Sequence, residues 1–303
     1  MTLATLTQAQ LDAWVVQAKL LTVRGRLPEY IPQLAQVNPR LLAVQVNTLM
    51  GRTLVSGDFA QPFVLMSVIK PFLLLFLLEQ LGAERVFQQL GMEPSDQPFH
   101  SIAQLKLDQG RPRNPMINSG AIAMTAMMSP PSGSARCEIF RRWLNHYAQT
   151  QLMLDQKVLA SVRSLPNETN RTIADRLCQN GYLDQVGIAL DTYNQLCCLS
   201  GTIADLARLG LLLTRSRADI SAANQRIVNA LMLTCGLYEA SGRYAVKVGL
   251  PTKSGVSGAV LSIVPKQGAI ACYSPAIDEV GNSVASLFLV EKLSQALHLS
   301  VFG

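Results

Sequence analysis

Ser67-Val68-Ile69-Lys70 sets a hydroxyl and a primary amine three residues apart at the predicted start of a helix. Three residues make nearly one helical turn, so the amine lies on the same face as the hydroxyl and within reach of its proton. A serine hydroxyl is a weak nucleophile that needs a neighbouring base. A lysine serves as that base when burial or nearby cations lower its pKa. The helix N-terminus also offers the Ser67 backbone N–H to a developing oxyanion. Such a tetrad occurs by chance in many chains and carries little weight alone.

A second element, Lys253-Ser254-Gly255, follows a strand expected over Tyr244 to Leu250. It is similar to the K-T-G triad of penicillin-binding proteins and class A β-lactamases, where a lysine and a hydroxyl face the nucleophile across a cleft. Gly255 lets substrate lie close to the strand, and the Val256 backbone N–H supplies a second oxyanion donor. In isolation Lys-Ser-Gly reads as a surface turn; its place after a Ser-x-x-Lys helix and a long helical stretch joins the two. Other hydrolytic designs fit less well. The three histidines are His100, His146 and His298, and the last two fall in amphipathic helices where packing or surface roles are the default. No HExxH or comparable ligand spacing points to a metal, and no GxGxxG or GxxxxGK stretch points to a nucleotide, so no cofactor is expected.

The elements that must bring these residues together come from both chain ends. Leu6 to Thr22 has helical spacing, and Leu41 to Thr48 with Thr53 to Val55 reads as a hairpin turning near Gly51. Late strands are expected at Tyr244 to Leu250, Ala259 to Val264 and Ala269 to Tyr273, then a helix from Val284 to His298. Between about Ser67 and Leu237 the pattern is almost wholly helical, including Ser67 to Leu81, Glu138 to Leu154, Ala174 to Asn180 and Thr202 to Ser216. Loops are expected at Pro94 to Pro98 and Met127 to Ala135. The reading is α/β plus all-α: an antiparallel sheet built from both ends, flanked by helices, with a large helical insertion and a cleft where the regions meet. Residues 1–303 form one catalytic domain, with a sheet subregion at about 1–66 and 238–303 and a helical subregion at about 67–237.

Composition narrows the partners. The 303 residues are 49% hydrophobic and 15% charged, with a net charge of +6 and no basic run long enough to follow a phosphate backbone. With 6% aromatics there is no stacking platform for single strands, so nucleic acid is not expected. The most apolar stretch, Pro71 to Leu78, is too short to span a bilayer and reads as a buried helix, and no signal peptide precedes it. Cys137, Cys178, Cys197, Cys198, Cys235 and Cys272 lack CxxC spacing and lie in apolar surroundings. Buried reduced thiols in a cytoplasmic protein are expected.

Over nearly its whole length the chain resembles the serine-dependent glutaminases, which share the fold of β-lactamases and transpeptidases. The resemblance runs through SVIKPF at Ser67, GMEPSDQPFHSI from Gly91, RNPMINSGAI from Arg113 and TNRTIA from Thr169. It continues through Tyr193 to Ala207, CGLYEASG from Cys235, VGLPTKSGVSGAV from Val248 and SPAIDEVGNSV from Ser274. It implies hydrolysis of L-glutamine to L-glutamate and ammonia through an acyl-enzyme on Ser67, with Lys70 accepting the serine proton. Lys253 takes the place of the triad lysine and Tyr193 relays a proton to the leaving ammonia. Asn118, Asn170, Tyr238 and the Val256 backbone, with Ser67 and Tyr193, contact the substrate. It also implies a homo-oligomer, dimer or tetramer. Each residue has a plainer reading as well: helical tyrosines are commonly core residues and asparagines commonly cap helices.

Several positions depart from the family pattern. The family carries a glutamate seven residues before the asparagine matching Asn170, pairing with the substrate's α-ammonium; that position is Arg163. A cation facing an ammonium at about 4 Å is repelled by roughly 4 kcal/mol at an effective dielectric near 20, about three decades in affinity. A cleft-facing Arg163 would therefore redirect the site to a different amide or ester, and an arginine in a polar loop otherwise points to solvent. A non-catalytic binding homologue is the remaining alternative. Cys198, His100 and Ala259 replace a serine, an asparagine and a glycine.

Overall fold

The computed structural model describes residues 2–129, 131–214 and 218–303. Eight strands, among the described residues, fall into two antiparallel sheets. They are β1 (Ala43–Thr48), β2 (Thr53–Gly57), β3 (Phe63–Val64), β4 (Met153–Leu154), β5 (Leu199–Gly201), β6 (Thr252–Ser254), β7 (Ala259–Val264) and β8 (Gly268–Tyr273). The larger sheet has the order β2-β1-β8-β7-β6 and the smaller β3-β5-β4. The N-terminal hairpin thus sits at one side of the large sheet and the Lys-Ser-Gly strand at the opposite edge. Ala43 pairs with Tyr273, Ala259 with Tyr273, and Lys253 with Leu261.

Strands β1, β7 and β8 are buried along their full length because the sheet is covered on both faces. Their residues alternate between two cores, as a period of two requires. Val44, Val46, Val260, Ile270 and Cys272 enter one core, and Ala43, Ala259, Leu261, Ala269, Ala271 and Tyr273 enter the other.

Thirteen helices of the described residues complete the chain. The first seven are α1 (Gln8–Lys19), α2 (Lys70–Leu81), α3 (Ala83–Gln89), α4 (Ile102–Leu107), α5 (Asn118–Ala126), α6 (Gly133–Ala148) and α7 (Gln156–Arg163). The rest are α8 (Glu168–Gln179), α9 (Val186–Cys197), α10 (Ile203–Leu211), α11 (Ala222–Cys235), α12 (Ser241–Lys247) and α13 (Val284–Leu297). Helices α1 and α13 pack together on the first core, while α10 lies against β8 and β1 on the second. A Cβ at Gly210 would stand 2.4 Å from Ala269 Cβ, so α10 approaches β8 through a position only glycine fills.

Helix α2 has no polar face before Glu79: Lys70 to Leu78 are all buried. Phe72 to Leu78 supply seven apolar side chains to the helical core, worth on the order of 10–20 kcal/mol as an upper estimate. That exceeds the few kcal/mol that burying an amine costs, which is how the helix can carry Lys70 fully inside.

Both ends of the chain contribute to one antiparallel sheet, as expected, and the hairpin, Ala259–Val264, the β8 strand and the final helix fall where the pattern puts them. Other expectations are corrected. Tyr244 to Leu250 is not a strand, because Ser241–Lys247 is helix α12 and the chain becomes extended only at Thr252. A helix puts Tyr244 and Val248 on one buried face and leaves Val246 91% exposed; a strand would have buried all three on one side. Glu138 to Leu154 is not one helix. Helix α6 starts at Gly133, capped by Ser132, ends where Gln149 turns left-handed, and gives way to β4. The expected loop at Met127 to Ala135 is shortened accordingly, and its Pro130 lies outside the described residues.

Helix α8 begins six residues earlier than Ala174. Helix α10 stops at Leu211 with Thr202 as its cap, and Ser216 lies outside the described residues. The small sheet inside the helical stretch was not anticipated, since its strands of two or three residues are too short to show a period. Cys178 is only partly buried; the other five cysteines are buried and all six are free thiols.

Candidate functional site

Ser67 sits in a 3-10 turn (Met66–Ile69) wedged between β3 and α2, and is itself 5% exposed. Met66, just before it, has φ +47°, a left-handed conformation that costs a non-glycine residue roughly 1–3 kcal/mol. Neighbouring structure holds the strain: the Leu65 N–H donates to the Leu199 carbonyl of β5 at 2.8 Å. The unanticipated small sheet therefore fixes the turn that presents Ser67.

One turn on, Lys70 is fully buried, and its Nζ donates to the Met116 carbonyl at 3.2 Å and to Asn118 Oδ1 at 2.8 Å. Burial disfavours its charged form and brings its pKa down to about 8. Asn118, the first residue of α5, is placed by its backbone N–H on the Phe99 carbonyl at 2.9 Å. Its Oδ1 also accepts from the Tyr193 hydroxyl at 3.0 Å, and its Nδ2 donates to Asn170 Oδ1 at 2.9 Å. Helices α2, α5, α8 and α9 thus meet at one asparagine.

The opposite wall is the sheet edge. Lys253 on β6 is also fully buried, with Nζ donating to the carbonyls of Gly236 (2.9 Å) and Ser254 (2.6 Å) and lying 4.3 Å from the Tyr238 ring centre. Burial, then the charge of Lys70, pushes its pKa well below the ordinary lysine value. A Cβ on Gly255 would lie 2.7 Å from the Leu65 carbonyl oxygen and 3.3 Å from the Ser67 nitrogen, so the Lys-Ser-Gly edge runs directly against the serine turn.

Tyr238, a second strained residue at φ +58°, donates its hydroxyl to the Ser254 carbonyl at 3.3 Å. Its ring packs 4.5 Å from Phe99. Val256 lies beside Tyr238, both within van der Waals reach of a Cβ built on Gly281. Ser67, Lys70, Asn118, Asn170, Tyr193, Tyr238, Lys253 and Val256 are therefore neighbours around one cleft.

Arg163 is not among them. It ends α7 and pairs with Asp191, Nη2 to Oδ1 at 2.5 Å, with about half its side chain in solvent. Asp191 and Tyr193 are two residues apart on α9, about 200° around the helix, so the pair lies away from the face that carries Tyr193. Gln195 also donates to Asp191, at 2.7 Å.

Two neighbouring residues escaped the sequence reading. Cys197, one turn beyond Tyr193 on α9 and buried like it, lies within electrostatic reach of Lys70 and Lys253; its spacing of four from Tyr193 was the available signal. Tyr30, in a loop near the N-terminus, is 58% exposed, yet the surrounding protein pushes its pKa up to about 12. It interacts electrostatically with Tyr193 and Tyr238. It belongs to a loop some 160 residues before Tyr193, and no local pattern marks it.

Among the described residues, no three His, Cys, Asp or Glu side chains gather into a metal site. None of the helices is long and apolar enough to cross a membrane, again among the described residues. What the cleft offers is a hydroxyl on a strained turn, a buried amine and a phenol joined through one amide, and a second buried amine on the opposite wall, an arrangement suited to acyl transfer with internal proton movement.

Comparison with known proteins points the same way. A family model described as glutaminase matches residues 25–302. A glutaminase from Synechocystis sp. is 44% identical over 292 residues, covering 96% of this chain and 89% of the relative. One from Geobacillus kaustophilus is 35% identical, covering 97% of this chain and 98% of the relative. Among solved structures, the covalent complex of a Bacillus subtilis glutaminase with 5-oxo-L-norleucine superposes with a TM-score of 0.88 at 29% identity, covering 97% of this chain and 99% of that one.

Proposed function

The chain belongs to the glutaminase family, and from that premise we propose that it hydrolyses L-glutamine to L-glutamate and ammonia through an acyl-enzyme on Ser67. The observation that carries the reading is the continuous buried network Lys70–Asn118–Tyr193, closed on the other side by Lys253, around the Ser67 turn. The side-chain amide carbon of the substrate lies against Ser67 Oγ. Lys70, uncharged in the fraction of molecules that its lowered pKa allows, takes the serine proton as the C–O bond forms. The oxyanion is received by the backbone N–H groups of Ser67 and Val256, brought close by the tight approach of Gly255 to the serine turn.

Tyr193 gives its phenolic proton to the departing nitrogen, and the proton that Lys70 took from Ser67 then passes from Lys70 Nζ to the phenolate, the two groups being held side by side on Asn118 Oδ1. The C–N bond breaks, ammonia leaves, and water then cleaves the ester to give the carboxylate and restore the serine. Asn118 and Asn170 hold the substrate's polar end, Tyr238 walls the pocket, and Lys253 braces Tyr238 and the Ser254 carbonyl. The Bacillus subtilis relative forms its covalent complex by reaction with 6-diazo-5-oxo-L-norleucine, and this supports a live nucleophile at the matching place in this chain.

The alternative of a redirected substrate rested on Arg163 facing an ammonium, and its engagement by Asp191 leaves L-glutamine as the better reading. We further propose that both subregions act as one catalytic domain in a cytoplasmic homo-oligomer, as the resemblance implies. The test is ammonia release from L-glutamine by the wild type and the Ser67→Ala variant: activity in the first and none in the second is expected, and activity in both would overturn the assignment of the nucleophile.

A further inference from the structure

One buried amide ties together the parts that form the wall opposite Ser67. Asn282 is fully buried in the loop that leads into α13, and its backbone is fixed on both sides. Asp278 Oδ1 accepts from the Val280, Gly281 and Asn282 N–H groups at 3.0, 2.9 and 2.8 Å, and the Asp278 N–H donates to the Asn282 carbonyl at 2.8 Å. The next residue, Ser283, caps α13 through the Ser286 N–H and donates to the Ser274 carbonyl at 2.7 Å. The Asn282 side chain therefore projects from a rigid base.

That side chain reaches two elements of the wall. Its Oδ1 accepts from the Ser254 hydroxyl at 2.5 Å, and its Nδ2 donates to the Leu237 carbonyl at 3.4 Å. The orientation is fixed, because a carbonyl can only accept and a flipped amide would set two oxygens against each other there. Alternation along β6 places Ser254 on the face opposite Lys253. The hydroxyl of the Lys-Ser-Gly triad, itself fully buried, thus gives its one proton to Asn282.

Leu237 immediately precedes Tyr238, whose left-handed φ of +58° is held only by its surroundings and whose hydroxyl donates to the Ser254 carbonyl at 3.3 Å. Val256 lies two residues beyond Ser254, and a Cβ built on Gly281 would be 3.5 Å from its side chain and 3.6 Å from the Tyr238 ring. Strand β6 is the edge of the large sheet, laddered to β7 on one side only. On its other side it meets the turn before Tyr238 through the Ser254 N–H and Lys253 Nζ, both on the Gly236 carbonyl at 3.4 and 2.9 Å. The Asn282 amide is the link that anchors strand and turn together to α13.

We propose that Asn282 is a positioning residue for the reaction: through Ser254 and Leu237 its amide sets the place of the Tyr238 ring and of the Val256 N–H against Ser67. The tether stands on its own geometry, and its kinetic consequence rests on the glutaminase reading.

A double-mutant cycle on Asn282→Ala and Ser254→Ala tests it, read by kcat/KM for ammonia release from L-glutamine and by fluorine NMR of ligand-free, fluorotyrosine-labelled protein. The position 238 signal is identified by its loss in Tyr238→Phe. Each single variant should lower kcat/KM about tenfold, the equivalent of one buried hydrogen bond, and the double variant should lose no more than Asn282→Ala, because both cut the same link. The fluorine signal should move in each single variant and no further in the double. Ser254→Ala removes a single oxygen atom, and its fluorine signal decides the matter alone if Asn282→Ala does not fold. An unmoved signal in Ser254→Ala would overturn the proposal. So would a loss of about a hundredfold in the double variant, since hydroxyl and amide would then act separately. A wild type that releases no ammonia while the fluorine signals move as expected would overturn the glutaminase reading and leave the tether standing.

Discussion

Lowering the pH should switch the protein off through a single buried amine, in a way that can be worked out in advance. The Lys70 pKa falls from 10.5 in a free side chain to about 8, with burial as the leading cause. The reaction needs the uncharged amine, about half of the molecules at pH 8, a tenth at pH 7 and a hundredth at pH 6. The profile of kcat/KM should therefore rise about ninefold from pH 6 to 7, about fivefold from pH 7 to 8, and flatten above pH 9.

The same shift has a thermodynamic side. Between about pH 8 and 10.5 the unfolded chain binds the proton that folded Lys70 gives up, so Lys70 contributes stability that increases with pH across that window. Its penalty of about 3 kcal/mol is fully present below pH 8. Lys70→Met removes the penalty while losing the bonds to Met116 and Asn118, about 1 kcal/mol each. The variant should be inactive yet at least as stable as wild type at pH 7, and this advantage should vanish towards pH 10. Steady-state ammonia release across pH, with thermal unfolding of both proteins at three pH values, measures both sides. A flat kcat/KM from pH 6 to 8, or a Lys70→Met protein with wild-type activity, would refute the assignment of the base.

Two further outcomes follow from contacts around the cleft. Arg163→Ala should leave kcat/KM for L-glutamine within about twofold and cost less than about 1 kcal/mol in urea unfolding, because the Asp191 pair is half-exposed; a tenfold kinetic change would place Arg163 on the substrate instead. Gly255→Ala puts a methyl 2.7 Å from the Leu65 carbonyl and must part β6 from the Ser67 turn. Its kcat/KM should fall by at least about tenfold, since sub-ångström displacement of a nucleophile is costly, and an unchanged value would mean that the turn does not depend on that contact.

Much of the site was legible because its parts are local. Ser67 and Lys70 declare each other by spacing, and Lys253-Ser254-Gly255 is contiguous, so only their meeting in space needed the fold. The sheet could be assembled from both ends because β7 and β8 are short, largely apolar runs bounded by turns and β1 alternates Val44 and Val46 with Gln45 and Asn47. What failed did so where two periods coincide: Tyr244 and Val248 share a face in a helix and in a strand alike, and only the exposure of Val246 decides between them. Contacts made across long separations left no trace. Arg163 finds Asp191 from 28 residues away, which turned an apparent cleft cation into an outward ion pair. Tyr30 comes within electrostatic reach of Tyr193 and Tyr238 from a loop near the N-terminus, and Met66 shows its strain only in φ.

The account stands on Ser67 as the atom that becomes acylated. Incubation of the native protein with 6-diazo-5-oxo-L-norleucine, followed by peptide mass spectrometry, tests this directly. One adduct per chain is expected, on the peptide holding Ser67, and none on that peptide in the Ser67→Ala or Lys70→Met proteins. Label on Cys197 or another residue with Ser67 untouched would contradict the mechanism at its first step.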